Sequence, residues 1–153
     1  MSSDTIRVAS LGLGWWSDVL AEGVTNAKGI EVVSCFTRSE DKRKAFAEKF
    51  DCASAESYEE LLADDSIDAI INTTPNNIHL ETTKQAAEAG KHVFLDKPIA
   101  NSVGEGMEIA KICRAAKVKL SIGFQRRREN HFRWVQQEIQ AGRFGQIVQA
   151  EAN

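Results

Sequence analysis

At 153 residues and a net charge of −3, the chain is long enough for one domain with a sizeable core, and it carries no overall basic footprint for nucleic acid. No apolar stretch is long enough to span a bilayer, and the opening MSSDTIRVAS lacks the basic-then-apolar order of a secretory signal. Cys35, Cys52 and Cys113 are odd in number and lack metal-ligand spacing, so they read as free thiols of a reducing compartment, with the cytoplasm as expected location and no metal site.

In chain order, Ile6 to Leu20 predicts a strand, a tight turn and a helix. The apolar run Val8–Leu11 meets Gly12 and Gly14, and a helix-compatible segment follows at once. This is the opening of a dinucleotide-binding fold: Gly12 permits the turn, and Gly14 leaves room for a pyrophosphate to approach the backbone. The helix then points its unpaired N–H groups and positive dipole end at the phosphates. Ser17 stands where the usual G-x-G-x-x-G has its third glycine, a position that needs only a small side chain.

Ile30–Phe36 reads as a second strand that can be buried on both faces, and Ser39 caps a helix over about 40–50. Ser57-Tyr58-Glu59-Glu60 has capping-box spacing and introduces a short helix ending near Leu62. Asp68–Thr73 is a third strand, followed by a turn at Thr74-Pro75-Asn76. A helix over about 77–89 stops at Gly90. His92–Leu95 is the next strand, Ser102 with Glu105 caps a helix to about Ala116, and Val118–Phe124 is a further strand. Strands separated by helices imply a parallel sheet with right-handed crossovers, hence a doubly wound α/β domain over 1–124.

The tail differs. Gln125-Arg126-Arg127-Arg128 leads to a helix over about 129–141, ending at Gly142, and 146–152 resembles the start of another strand. A lone strand there is either an edge strand folded back or the first strand of a second domain. The second reading is preferred: 125–153 as a linker helix and first strand of a C-terminal α/β substrate domain otherwise missing from this chain.

The end of the second strand selects the cofactor. An acid there accepts hydrogen bonds from the adenosine ribose of NAD, but the segment is Phe36-Thr37-Arg38-Ser39. Arg38 can pair with a 2′-phosphate and stack on adenine, with Thr37 and Ser39 adding hydrogen bonds. Glu40 and Asp41 oppose this if they face the phosphate, and do not if they lie on the outer face of the next helix. The alternative makes Arg38 an ordinary surface charge. NADP is therefore expected ahead of NAD. Trp15 and Trp16, unusual in a phosphate loop, have the bulk to wall a nicotinamide pocket.

Two further motifs make the case specific. Thr73-Thr74-Pro75-Asn76-Asn77-Ile78-His79 follows the third strand, and Gly90-Lys91-His92-Val93-Phe94-Leu95-Asp96-Lys97-Pro98 spans the fourth. With the glycine loop, these resemble the glucose–fructose oxidoreductase / inositol dehydrogenase family, often written Gfo/Idh/MocA. The resemblance covers essentially the whole chain. Asp96-Lys97-Pro98 stands where that family usually has Glu-Lys-Pro, Arg127 falls where it commonly carries an Arg, and Gly142-Arg143-Phe144-Gly145 with the segment after it looks like the entry to its substrate domain.

The resemblance implies an NAD(P)-dependent oxidoreductase, a dehydrogenase exchanging hydride with a CH–OH carbon of a sugar, polyol or related small molecule. It also implies a homo-oligomer in the full-length protein, with neither nucleic acid nor membrane as partner. Lys97 is the expected catalytic group, because a positioned base eases hydride loss as the hydroxyl proton leaves. A lysine beside a positively charged nicotinamide has its charged form disfavoured. Asp96 orients Lys97 or contacts the ribose, with one methylene less reach than Glu. By the resemblance Thr74, Pro75 and Asn76 line the cofactor, against the alternative of an ordinary turn. His79 and Arg127 join the cofactor-binding set, His79 more as a supporting residue than as an acid–base group. His131 is expected at the surface, the Arg126–Arg128 run at the surface or between domains, and Trp134 in the core or at a domain interface. The rival class is a dinucleotide-binding sensor or scaffold without chemistry. The chain alone is expected to bind a dinucleotide and to turn over poorly.

Overall fold

The computed structural model describes residues 5–151. These divide after Gly123 into two compact units. The first holds six strands, all pairing in parallel, in the order β3-β2-β1-β4-β5-β6. Its elements are β1 (Ile6–Leu11), α1 (Trp15–Thr25), β2 (Ile30–Phe36), α2 (Glu40–Phe50), β3 (Ala53–Ser54), α3 (Tyr58–Ala63), β4 (Ala69–Asn72), α4 (His79–Glu88), β5 (His92–Leu95), α5 (Val103–Ala115) and β6 (Leu120–Ile122). This is the doubly wound α/β sheet that the strand–helix alternation predicts.

Local chemistry accounts for the boundaries. Ser39, Ser57 and Ser102 each cap a helix, accepting from the backbone N–H three residues on, at Lys42, Glu60 and Glu105, which satisfies one orphan donor per helix. Glu60 also reaches back to the N–H of Glu56, 2.7 Å away. The core has two parts. Ala9, Leu11, Ile70, Val93 and Leu95 pack with Tyr58, Leu61 and Ile109 of α3 and α5. Cys35 packs with Leu13, Ala21 of α1 and Phe46 of α2. β1 supplies the first part through Ala9 and Leu11, which share a face by strand alternation, and β2 supplies the second through Cys35.

Two expectations for the sheet need correction. β2 is not buried on both faces along its length: Glu31 stays in solvent, paired with Arg7 of β1, and only Ser34 and Cys35 are fully covered. The last strand is three residues rather than seven, since Lys117 turns at φ 58° and the Val118 N–H closes onto Cys113 O. The two-residue β3 has no counterpart in the sequence reading.

The second unit contains a short 3₁₀ turn, Gln125–Arg128, and α6 (Asn130–Gln140). Residues 146–151 form no strand, and Ala152, the end of the expected strand, lies outside the described residues. Trp134 is 55% exposed and meets Phe144 edge-on, so it is not a core residue within its unit.

Candidate functional site

The parallel register brings the chemistry to one edge. Leu11 pairs with Phe36 and Asn72, Asn72 with Leu95, and Leu95 with Ile122. The segments that follow, at Gly12, Thr37, Thr73 and Asp96, therefore leave the sheet together at the carboxyl ends of the strands, where open α/β sheets bind ligands. A groove of about 660 Å³ elsewhere, lined by Val8, Val19, Ile71 and Phe94, is apolar and lies on a sheet face without these residues.

The glycine loop is fixed by its neighbours. Gly12 has φ 83°, and a Cβ there would meet Thr73 C and Thr74 N at 3.0 Å, so a side chain is excluded by both conformation and backbone contact. Its N–H donates to Phe36 O, and Thr73 N–H donates to Leu11 O, both at 2.9 Å. The Thr73 hydroxyl donates to Gly12 O. Gly14, the N-cap of α1, is the opposite case: a Cβ would touch nothing within 4 Å. Ser17 is buried, and its hydroxyl donates to Gly14 O at 2.7 Å. The missing third glycine is thus replaced by a small residue that ties the loop to the helix. Trp15 is 77% exposed. Trp16 is half-buried, and its indole Nε1 is buried with no partner among the described residues.

At the end of β2, Arg38 and Ser39 are exposed and Thr37 half-buried. The loop is held from behind by Arg43, a residue the sequence reading missed. Its buried guanidinium donates to Thr37 O at 2.9 Å and to Glu56 Oε2 at 3.0 Å, with the Phe36 ring 5.7 Å away. Glu40 pairs with Lys44 one turn along α2, and that hydrogen bond and charge hold its carboxyl below the ordinary value. The nearer acid beside Arg38 is therefore engaged along the helix.

Past β4, Asn72 is fully buried and organises the loop. Its Oδ1 accepts from the Thr74 N–H and hydroxyl, at 3.1 and 2.7 Å, and its Nδ2 donates to Thr82 Oγ1 at 2.7 Å. The signal for this residue was a polar side chain ending an apolar strand, in AIIN. Pro75 and Asn76 are exposed on the rim, and Asn76 begins a one-turn 3₁₀ helix. His79 is fully buried. Its Nε2 lies 2.9 Å from Thr74 O and its Nδ1 3.1 Å from Pro98 O. This corrects its expected place among cofactor contacts: a ring with no exposed surface joins two loops and cannot touch a ligand.

The Lys97–Pro98 bond, whose isomer the sequence left open, is cis. Lys97 is exposed, with no hydrogen bond or ion pair among the described residues. The Asp96 N–H donates to Asn72 O at 2.9 Å, and its Oδ1 is buried without a partner. A Cβ on Gly123 would sit 3.3 Å from that oxygen, so glycine at 123 keeps room for the carboxylate. In the second unit, Arg127 is exposed with its guanidinium 5.3 Å from the Phe124 ring. His131 is exposed and pairs with Glu129. No group of three or more His, Cys, Asp or Glu that could hold a metal occurs among the described residues, and no helix there is long and apolar enough to cross a membrane.

Residues 6–124 match the oxidoreductase family with an NAD-binding Rossmann fold, Gfo/Idh/MocA. The 1,5-anhydro-D-fructose reductase of Ensifer adhaerens is 34% identical over 129 residues, 84% of this chain and 39% of that protein. The inositol 2-dehydrogenase of Rhizobium meliloti is 29% identical over 143 residues, 94% of this chain and 43% of that protein. The crystal structure of the WlbA dehydrogenase from Bordetella pertussis, in complex with NADH and UDP-GlcNAcA, is similar with a TM-score of 0.90 at 27% identity, covering 96% of this chain and 43% of that one. The chain spans less than half the length of these relatives.

Proposed function

The chain belongs to the Gfo/Idh/MocA oxidoreductase family, and on that premise we propose that it is the dinucleotide-binding part of an NADP-preferring dehydrogenase acting on a CH–OH carbon of a sugar, polyol or related small molecule. The observation that carries this reading is the arrival of the Gly12–Gly14 loop, Thr74 and Lys97 at one edge of a parallel sheet. Its substrate class rests on relatives named as an anhydrofructose reductase and an inositol dehydrogenase.

The residues present fit a dinucleotide. Open space at Gly14 suits a pyrophosphate over the N-terminus of α1, where unpaired N–H groups and the helix dipole favour anions. Exposed Arg38, with Thr37 and Ser39, suits an adenosine ribose carrying a 2′-phosphate. Thr74, Pro75 and Asn76 form the next rim. The orphaned Asp96 Oδ1 is an acceptor in want of a hydroxyl or ammonium donor, which a ribose or Lys97 supplies. The unpartnered Trp16 indole N–H asks for an acceptor beside the same loop.

When bound, the nicotinamide supplies the hydride-exchanging carbon. Lys97 accepts or returns the proton of the substrate hydroxyl, and Asp96 orients it. His79 and Asn72 hold the loops that carry these groups. Residues 125–153 are taken as the entry to a substrate domain and Arg127 as part of the cofactor set, which accords with relatives more than twice as long. The same reading takes the full-length protein as a cytoplasmic homo-oligomer with small-molecule partners, in keeping with three free thiols.

Titrating the chain with NADPH and NADH while following tryptophan fluorescence tests the binding half. Saturable binding, tighter for NADPH, is expected; no binding of either overturns the reading. Assaying the full-length protein against sugars and polyols tests the chemistry, and dinucleotide binding without turnover across the panel would favour a sensor.

A further inference from the structure

Two of the three thiols are neighbours. β2 and β3 pair in parallel with Cys35 opposite Ser54, and Cys52, one residue ahead of β3, packs against the cluster that contains Cys35. Both belong to the apolar cluster of Leu13, Ala21 and Phe46. The Cys35 thiol lies 3.7 Å from Arg43 O and also beside the Cys52 sulfur. Cys35 is fully buried, whereas Cys52 is half-buried at the turn between α2 and β3.

The two sulfurs differ in reactivity as well as access. The neighbouring Cys35 side chain holds Cys52 below the ordinary thiol range, while Cys52 and burial push Cys35 up. The thiolate is the nucleophile. The pair therefore has an accessible, more acidic thiol in front of a buried, protonated one, the order that a two-step oxidation requires. Cys52 also precedes the ladder, which begins at Ala53, and its N–H is held by Ala47 O at 3.1 Å, so any backbone adjustment that disulfide closure needs draws on that helix-end bond and spares the β2–β3 ladder.

We propose that Cys35 and Cys52 are a modification site, a dithiol that a hydroperoxide converts reversibly to an intrachain disulfide. The Cys52 thiolate attacks one peroxide oxygen, the O–O bond breaks, and Cys52 becomes a sulfenic acid while the departing hydroxide takes up a proton. The Cys35 sulfur then attacks the Cys52 sulfur; the S–S bond forms, the S–O bond breaks, and the leaving hydroxide combines with the Cys35 proton. Two thiols lose two electrons, and hydrogen peroxide is reduced to two waters. A dithiol reductant reverses the product by thiol–disulfide exchange. The site stands independently of the dinucleotide reading.

The test treats the reduced chain with hydrogen peroxide, alkylates the remaining thiols under denaturing conditions, and maps peptides by mass. One alkylated cysteine, Cys113, and a linked peptide pair holding Cys35 and Cys52 are expected, both reverting on reduction. Cys113→Ser should still form the link. Cys35→Ser should leave Cys52 as a sulfenic acid that a dimedone probe captures. Three alkylated thiols after peroxide, a link made through Cys113, or wild-type Cys52 accumulating as sulfinic acid would each overturn the proposal, and none of these readouts depends on a variant folding.

Discussion

Nε2 of His79 lies 2.9 Å from the carbonyl oxygen of Thr74, and Nδ1 of the same ring lies 3.1 Å from Pro98 O. One buried imidazole thereby ties the loop after β4 to the loop after β5. Replacing His79 by Ala removes the single N–H that a neutral ring donates to one of the two inward-facing carbonyls, a loss worth about 1–3 kcal/mol, and opens a cavity. We predict a loss of about 2–4 kcal/mol in urea unfolding together with weaker dinucleotide binding. Unchanged stability would show that the two loops are held by other contacts.

Gly12 and Gly14 should separate folding from binding. Gly12→Ala forces a Cβ onto the Thr73–Thr74 backbone at positive φ, and strain of that kind costs about 1–3 kcal/mol. Gly14→Ala meets open space, so stability should move by no more than about 0.5 kcal/mol. NADPH affinity should nevertheless fall by about tenfold or more as the methyl group takes up pyrophosphate space. Urea midpoints and fluorescence titrations on both variants check this, and intact binding by Gly14→Ala counts against a phosphate there.

Arg38 is exposed at the end of β2. Arg38→Ala is predicted to weaken NADPH binding by about 1–3 kcal/mol, the worth of hydrogen bonds to a charged group, and to leave NADH nearly unaffected. Equal losses for both, or a wild-type preference for NADH, would reassign Arg38 to the ordinary surface.

Lys97→Ala in the full-length protein should slow the chemical step by about 10²–10⁴-fold, the usual contribution of acid–base catalysis, with much less effect on dinucleotide affinity. Single-turnover rates separate the two. The chain alone, less than half the length of its relatives, should bind and scarcely turn over. An unimpaired variant would remove Lys97 from the mechanism.

Tyr58 gives a pH signature. Burial, and secondarily the charge of Glu59, push its phenol above the ordinary value, and its hydroxyl donates to Thr82 O at 2.8 Å. The unfolded chain releases this proton near pH ~10, whereas the folded chain retains it. The stabilisation is therefore complete below that pH and is lost as pH rises toward the raised folded value. Tyr58→Phe should cost about 0.5–1.5 kcal/mol at neutral pH and flatten the alkaline decline in urea midpoints. An identical decline in the variant would assign the slope to lysines.

The fold was legible where a signal repeated. Apolar runs ending in Gly12 or in Asn72–Thr73, and serine caps three residues ahead of a satisfied N–H, fix element type and order locally. The Lys97 position was legible for the same reason, as the second residue past a short apolar strand. Other features depend on contacts distant in sequence. β3 is two residues long and exists because β2 offers it an edge. Arg43 looks like one more charge on α2 until the Thr37 carbonyl turns toward it. His79 looks like a ligand contact until the Pro98 loop closes over it. The expected strand at 146–152 had an apolar pattern, but residues 146–151 have no ladder to join.

The grip of Arg43 on Thr37 O has an evolutionary consequence. The path of the loop is set by a guanidinium reaching from α2, while the neighbouring Arg38 side chain points to solvent with no structural duty among the described residues. Drift at position 38 therefore alters what the loop offers to a ligand and leaves untouched what holds the loop in shape. On the reading offered above, a lineage can exchange one coenzyme for the other by single substitutions, without passing through unstable intermediates.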